Sequence, residues 1–162
     1  MPKIGIIVTP YRECLALEKE RKKMEIDDIK ITQHGTITGI IVNDKIMLTT
    51  IIADASGAVV SADLLLDTGS NLTVVHPRIV QSFQKSDGVL IIGSHMSGDS
   101  QTVTAKIQIE NILTIEDHEI SVMALNAFED TGIDGVIGMD IIQAGELHIY
   151  RKEDSPYYEF TL

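Results

Sequence analysis

The alternation of apolar and polar residues changes character near residue 36. From there on, short runs rich in β-branched residues are separated by turn residues, such as Asn43 and Asp44, a pattern typical of consecutive strands joined by tight turns. Many short strands at short spacing predict an all-β domain, closed or sandwich-like, with little helix. The predicted elements are strands at 36–42, 46–53, 58–66, 72–75, 88–92, 101–109, 113–115, 119–125, 136–137, 146–150 and 157–161, and a short helix at 139–145.

Residues 11–24 have a different composition, because they are rich in Glu, Lys, Arg, Leu and Met. These residues favour a helix, and Pro10 just before them suits a helix start. The apolar stripe is thin, so the segment is either a helix packed on the domain or on a partner, or a mobile arm.

A chain of 162 residues has room for one ordinary domain. We therefore predict an N-terminal extension over residues 1–35 and one domain over residues 36–162.

The composition is that of a folded acidic protein: 44% of residues are hydrophobic, 23% are charged and the formal net charge is −11. This charge argues against binding to nucleic acid or to an anionic membrane, since the basic cluster is confined to residues 19–23.

Cys14 is the only cysteine, so no disulfide can form within the chain. No secretory signal pattern follows Met1, and no stretch approaches the roughly 20 apolar residues of a membrane span. We expect a cytoplasmic protein.

The candidate catalytic residue is Asp67. It follows the apolar run Leu64-Leu65-Leu66 and begins Asp67-Thr68-Gly69-Ser70, and a second apolar run starts at Leu72. Asp and Gly favour turns, so the tripeptide alone is also what an ordinary surface turn would contain. Apolar residues on both sides are unusual around such a turn, and they place the carboxylate at the end of a buried strand. Two such carboxyls about 3 Å apart cannot both ionise, so one keeps a proton while the other acts as a base on water.

This segment resembles the active-site loop of the retropepsin-like aspartic proteases, in which apolar residues precede Asp-Thr-Gly-Ala/Ser and a short apolar strand follows. A second element of that family, an apolar pair and a glycine leading into a short helix, is matched by Asp134-Gly135-Val136-Ile137-Gly138-Met139-Asp140 in a form similar to non-viral members. The resemblance covers residues 37–162. It implies an acid protease barrel with one short helix, and an aspartic endopeptidase that needs no metal or organic cofactor.

The resemblance also implies a role for each matching residue. Asp67 is the catalytic carboxylate, Thr68 hydrogen-bonds across a dimer, and Gly69 brings backbone donors close to the carboxyl group. We further expect the Ser70 hydroxyl to donate a hydrogen bond to the ionised carboxylate, and therefore a more acidic pH optimum than in a relative with Ala. The second loop, which supports the site, consists of Val136, Ile137 and Gly138.

Between the two elements the family has a mobile hairpin, the flap, that covers the substrate. Residues 90–101 suit a flap, because two apolar arms flank a centre rich in Gly and Ser. An ordinary hairpin turn would show the same pattern, so the assignment rests on the layout of the family. Its tip is located to within about three positions. The predicted flap residues are Ile92, Gly93, Ser94, His95, Met96, Ser97 and Gly98.

A second Asp-Thr-Gly occurs at Asp130-Thr131-Gly132. Phe128-Glu129 precedes it and Ile133-Asp134 follows, so no apolar strand flanks it, and a chain of this length has no room for two pepsin-type lobes. We therefore interpret Asp130 as a loop residue. The second carboxylate is expected from Asp67 of another copy, in a two-fold symmetric homodimer that acts on a peptide or protein substrate.

Other functions have less support. The five histidines, at 34, 76, 95, 118 and 148, have no metal-ligand spacing, and we predict surface or packing roles for them. A competing hypothesis is a dimeric peptide-binding or interaction module of the same fold that is weakly active or inactive. Two like charges at an interface cost stability without benefit to a pure scaffold, which favours the enzyme. A further hypothesis places residues 1–35 in the cleft as an autoinhibitory segment.

Overall fold

The computed structural model describes residues 29–92, 97–124 and 129–162, and at 89–92 and 97–99 it describes the backbone alone. Within these ranges the chain is almost entirely β, and no helix is long and apolar enough to pass through a membrane. The predicted helix at 11–24 lies outside the described residues. In chain order the elements are β1 (Lys30–Gln33), β2 (Thr36–Ile40), β3 (Met47–Asp54), β4 (Val59–Leu66), β5 (Val74–Val75), β6 (Ser86–Ile92), β7 (Ser97–Ile109), β8 (Leu113–Val122), β9 (Gly135–Ile137), α1 (Met139–Ile142), β10 (Glu146–Lys152) and β11 (Ser155–Thr161).

Six of these strands close into a barrel. Their order around it is β8, β5, β9, β4, β3 and β7, and β7 pairs with β8 again to complete the ring. Closure removes free edges among the six strands, which is how many all-β domains avoid edge-to-edge association. β1 pairs with β8, and β6 forms an antiparallel hairpin with β7.

Branched aliphatic side chains fill the barrel interior. Buried and exposed residues alternate along β3 and β4, so that Leu48, Ile52 and Leu64 are fully buried, as the two-residue period of a strand requires. Side chains of this type fit a pleated, half-buried surface well. The largest fully buried side chains are Phe160, Leu48, Ile52, Leu64, Ile107, Ile109, Leu113, Ile115, Ile120, Ile137 and Ile141.

A three-stranded antiparallel sheet in the order β10-β11-β2 adjoins the barrel. Tyr158 and Phe160 of this sheet belong to the same buried cluster as the barrel side chains. A row across the three strands contains Tyr150, Tyr157 and Ile40, and the two tyrosine rings stack with their centroids 5.9 Å apart. Within the described ranges β10 pairs only with β11, so its other edge is free.

The prediction of an all-β fold with one short helix is confirmed. The two runs predicted at 113–115 and 119–125 form a single strand, β8, because an extra residue near Asp117 is absorbed into the ladder with β7. The sequence does not predict β1, whose residues Lys30, Ile31, Thr32 and Gln33 are mostly polar; its pairing with β8 makes it a strand. The helix α1 is shorter than predicted and ends at Ile142.

Candidate active site

Asp67 lies where the chain crosses from one side of β9 to the other. β4 ends at Leu66 and pairs with β9 in parallel, whereas β5 pairs with the other side of β9 in antiparallel. The loop of residues 67–73 joins β4 to β5 and therefore passes the end of β9. The candidate catalytic residue is thus on a short loop that the barrel anchors at both ends.

Backbone hydrogen bonds fix the position of Asp67. Its N–H donates to the Ile137 carbonyl at 3.0 Å, and its carbonyl accepts from the Ser70 N–H at 3.2 Å. The Gly69 N–H donates to Oδ1 of the Asp67 carboxylate at 2.8 Å, so one peptide dipole points at the acid group. The residue is only partly buried, which leaves the oriented carboxylate accessible to a reactant.

The Ser70 hydroxyl is engaged elsewhere than on the carboxylate. It donates to the Leu72 carbonyl at 2.7 Å, and a hydroxyl has only one proton to donate. The expectation that Ser70 donates to Asp67 is therefore wrong for this chain. Ser side chains in turns commonly bind a backbone group close in sequence, and Leu72 offers that acceptor two residues away. The more acidic pH optimum inferred from Ser70 loses its basis.

The predicted second loop meets the Asp67 loop at several points. Besides the bond from Asp67 to Ile137, the Gly138 N–H donates to Oγ1 of Thr73 at 3.1 Å. Two further backbone bonds join the Met139 N–H to the Ser70 carbonyl at 2.8 Å and the Asp140 N–H to the Asn71 carbonyl at 3.1 Å. The two sequence elements that define the resemblance are therefore in direct contact.

Glycine is required at two points of this contact. A Cβ at Gly138 would overlap the backbone of Leu72, and a Cβ at Gly135 would overlap the Val74 carbonyl. Only a residue without a side chain lets these backbone segments approach each other.

Three residues that the sequence analysis did not assign to the site complete this contact. Thr73 is fully buried, and it donates its N–H to Oδ2 of Asp140 at 2.9 Å and its hydroxyl to Oδ1 at 2.8 Å. His118 of β8 reaches the same Oδ2 with its Nε2 at 3.1 Å. Motif spacing carries no signal for His118, because folding alone brings β8 to the two loops. The sequence analysis predicted a surface or packing role for His118 and did not predict its contact with Asp140.

An apolar patch lies beside Asp67. Leu65, Val136 and Val74 form a row across β4, β9 and β5, and together with Met123 they make a cluster separate from the main core. Leu65 precedes Asp67 by two positions, and alternate residues of an extended chain share a face. The carboxylate and the apolar patch therefore face the same side of the sheet.

Thr68 and Asp130, one residue from each Asp-Thr-Gly tripeptide, both lie on the surface. Thr68 is exposed next to Asp67, and its expected partner belongs to another chain. Asp130 is also exposed and occupies a turn, with a φ of 62°, which agrees with its interpretation as a loop residue. Among the described residues, no cluster of three or more His, Cys, Asp or Glu side chains is arranged to bind a metal ion.

The predicted flap falls on the β6–β7 hairpin. Ile92 pairs with Ser97 and Ile91 pairs with Gly98, in an antiparallel ladder. These pairings give the region the two arms that a flap has. The predicted tip residues Gly93, Ser94, His95 and Met96 lie outside the described residues.

Comparison with known proteins gives one family match. Residues 51–141 match the family described as aspartyl protease. Among solved structures, the chain is similar to a retropepsin-like aspartic protease from Rickettsia conorii, with a TM-score of 0.48 and 12% identity over 82% of this chain and 94% of that chain. It is also similar to EIAV protease, with a TM-score of 0.45 and 16% identity over 63% of this chain and 88% of that chain. No curated protein matches the sequence.

Proposed function

Because this chain belongs to the aspartyl protease family, as its resemblance to the retropepsin-like proteases predicted, we propose that it is an endopeptidase that works as a homodimer. Each chain contributes one Asp67. The observation that carries the proposal is the placement of this carboxylate: it is partly exposed on a loop anchored in the barrel, and the Gly69 N–H holds one of its oxygens at 2.8 Å.

The proposed chemistry needs two carboxyl groups that share one proton. Two like charges in close contact cannot both ionise, so one Asp67 is ionised and its symmetry mate is protonated. The ionised group takes a proton from a water molecule, whose oxygen attacks the scissile carbonyl carbon, while the protonated group donates a hydrogen bond to the carbonyl oxygen. The tetrahedral intermediate then collapses as the C–N bond breaks, and the leaving nitrogen takes the proton that the first Asp67 had removed from water, which returns the pair to its starting state.

The proposed substrate is an extended peptide held between the β6–β7 hairpins of the two chains. Leu65 and Met123, the partly exposed members of the apolar patch, support a preference for apolar side chains near the scissile bond, because such side chains lose contact with water when they bind there.

The free edge of β10 supports the proposed homodimer. An edge strand presents unpaired backbone groups to any strand that can add to it. If two copies of β10 pair in antiparallel about Ile149, which is 62% exposed, Glu146 of each copy lies opposite Lys152 of the other. The pairing therefore joins the two exposed Ile149 side chains at the two-fold axis and sets opposite charges at both ends of the strand. A homodimer of this kind has the symmetry that a shared pair of Asp67 residues needs.

The test is hydrolysis of a peptide library or a denatured protein at pH values from about 3 to 7. Wild type is compared with Asp67→Asn and with the matched control Asp130→Asn, which alters the other Asp-Thr-Gly. We expect activity to be lost in the first variant and retained in the second. Activity that survives Asp67→Asn would refute the proposal. Peptide binding without hydrolysis by the wild type would favour the interaction module instead.

A further inference from the structure

Asp140 accepts four hydrogen bonds, two on each carboxylate oxygen. Oδ1 accepts from the Thr73 hydroxyl at 2.8 Å and from the Ile141 N–H at 3.1 Å. Oδ2 accepts from the Thr73 N–H at 2.9 Å and contacts Nε2 of His118 at 3.1 Å. An ionised carboxylate has about four acceptor positions, so all of them are used. Since the carboxylate only accepts, Nε2 carries the proton in the contact with His118.

The bonds made by Asp140 continue to Asp67 in an ordered chain. The Thr73 hydroxyl gives its proton to Asp140, so its oxygen is free to accept the Gly138 N–H at 3.1 Å. The residue before Gly138 is Ile137, whose carbonyl accepts the Asp67 N–H at 3.0 Å. His118 is the one side chain in this series that comes from outside the two loops.

A bulge in β8 brings His118 to Asp140. On β7, Ala105 and Ile107 are two positions apart and both are buried, whereas their partners on β8, His118 and Ile115, are three positions apart. The extra residue places His118 on the same face as Ile115, and Asp117 has a φ of 53° at this point. Bulges of this kind redirect side chains and are frequent beside active sites. The His118 side chain is consequently only 14% exposed, and that of Asp140 is 18% exposed.

We propose that His118 is a positioning residue for Asp67: it holds the Asp140 carboxylate in the orientation that binds Thr73, and thereby fixes the end of the active-site loop. The inference rests on the proposed function for its effect on catalysis, although the effect on the loop does not depend on it. Without the His118 proton, Oδ2 has one partner fewer in a largely buried setting, where an unpaired acceptor is unfavourable. Displacement of a catalytic group by about 1 Å is enough to lower a rate by about 100-fold.

The test compares His118→Gln with His118→Asn. Both variants are neutral amides, but only the longer Gln can place an N–H at the position of Nε2 and reach Asp140. We expect His118→Asn to lower kcat by about 10- to 100-fold with little change in KM, and His118→Gln to retain most of the wild-type kcat. His34→Asn is the control, because His34 is exposed; it should behave as wild type.

A second readout does not require activity. Hydrogen exchange of the backbone amides in residues 67–73, measured by mass spectrometry, should be faster in His118→Asn than in wild type and His118→Gln. A double variant with Asp140→Ala should be no worse than Asp140→Ala alone, since His118 acts through that carboxylate.

Three outcomes would overturn the inference: equal kcat and exchange in His118→Asn and wild type, equal impairment of the Gln and Asn variants, or additive losses in the double variant. A wild type without peptidase activity would instead refute the proposed function, and the exchange measurement alone would then decide the role of His118.

Discussion

At the scale of single residues, close backbone approach is what holds Asp67 in place. The loops at 67–73 and 135–140 are joined mainly by backbone N–H groups. Two close approaches tolerate no side chain: Gly138 lies against the Leu72 backbone of the loop, and Gly135 lies against Val74 at the start of β5. Gly138 has a φ of −96°, which any residue can adopt, so its requirement is one of space. The Asp-Thr-Gly tripeptide supplies the carboxylate. The glycines of the second loop allow the backbone that binds the Asp67 loop to approach it closely.

Replacement of Gly138 by Ala should damage both stability and activity. The added methyl group would overlap the Leu72 backbone and force the two loops apart, which typically costs about 1–3 kcal/mol in a packed interior. Unfolding in urea measures the loss of stability, and peptide hydrolysis measures the loss of activity. A Gly138→Ala protein with wild-type stability would show that the loops are not in such close contact.

Ser56 should stabilise the protein at neutral pH but not in acid. Its hydroxyl bond to Oδ1 of Asp54, at 2.6 Å, is the main reason that the pKa of Asp54 lies below its ordinary value, with further help from backbone N–H groups. A carboxylate with a lowered pKa stabilises the fold above its pKa in the unfolded chain, and this stabilisation disappears as pH falls through the folded-state pKa. Ser56→Ala should therefore be less stable than wild type above about pH 4.

The comparison of unfolding free energies from about pH 2 to 7 tests this prediction. The difference between wild type and Ser56→Ala should shrink towards the acidic end, as Asp54 becomes protonated in both proteins. A difference that grows towards low pH would have the wrong sign and would contradict the assignment.

At the scale of elements, the sequence predicts those strands that show their own pattern. The hairpins before Asp67 were predictable from two local signals. Buried and exposed residues alternate along β3 and β4, and the turn residues include Asn43 and Asp44, both with positive φ. β1 depends on its partner, and no local pattern distinguishes its polar residues from a loop. The bulge in β8 interrupts the alternation at Glu116 and Asp117, which makes one strand look like two.

The same distinction applies to the candidate site. The apolar flanks of Asp67 and the glycines of the second loop are local signals, and the structure brings these two segments together. His118 reaches the Thr73–Asp140 pair only because β8 packs next to β5. For Ser70, a local signal was misleading. Its closeness to Asp67 in the sequence suggested a hydrogen bond to the carboxylate, whereas its hydroxyl donates to the Leu72 carbonyl.

The bulge itself should be sensitive to the residue at position 117. Asp117 has a φ of 53°, a conformation that Gly adopts readily and a β-branched residue does not. Asp117→Val should lower the free energy of unfolding by about 1–2 kcal/mol more than Asp117→Gly. Both variants lose the exposed ion pair with Lys30, so that loss cancels in the comparison. Equal stabilities in a urea titration would argue against the bulge.

At the scale of the whole molecule, the proposed function makes the site of one chain half complete. The described barrel presents one Asp67, and the other Asp-Thr-Gly lies in an exposed turn at Asp130. With a net charge of −11, two copies repel each other at long range, so association depends on local complementarity. In the proposed pairing of two β10 strands, such complementarity would come from Glu146 of one copy opposite Lys152 of the other.

A charge exchange on β10 tests this surface. Glu146→Lys places two lysines opposite each other at both ends of the paired strands, which should weaken the dimer by roughly tenfold at low salt. The double variant Glu146→Lys with Lys152→Glu restores opposite charges and should return the dissociation constant towards that of wild type. Analytical ultracentrifugation over a range of protein concentrations measures it. A double variant as weak as the single one would exclude this pairing.

The most direct test of the half-site claim is the activity of mixed dimers. Wild type and Asp67→Asn are combined in equal amounts at constant total concentration and allowed to exchange subunits. If each active site needs Asp67 from both chains, only about a quarter of the dimers are competent, and activity should fall to about a quarter of that of wild type alone. Activity of about half would mean that each chain carries a complete site, which would contradict the account.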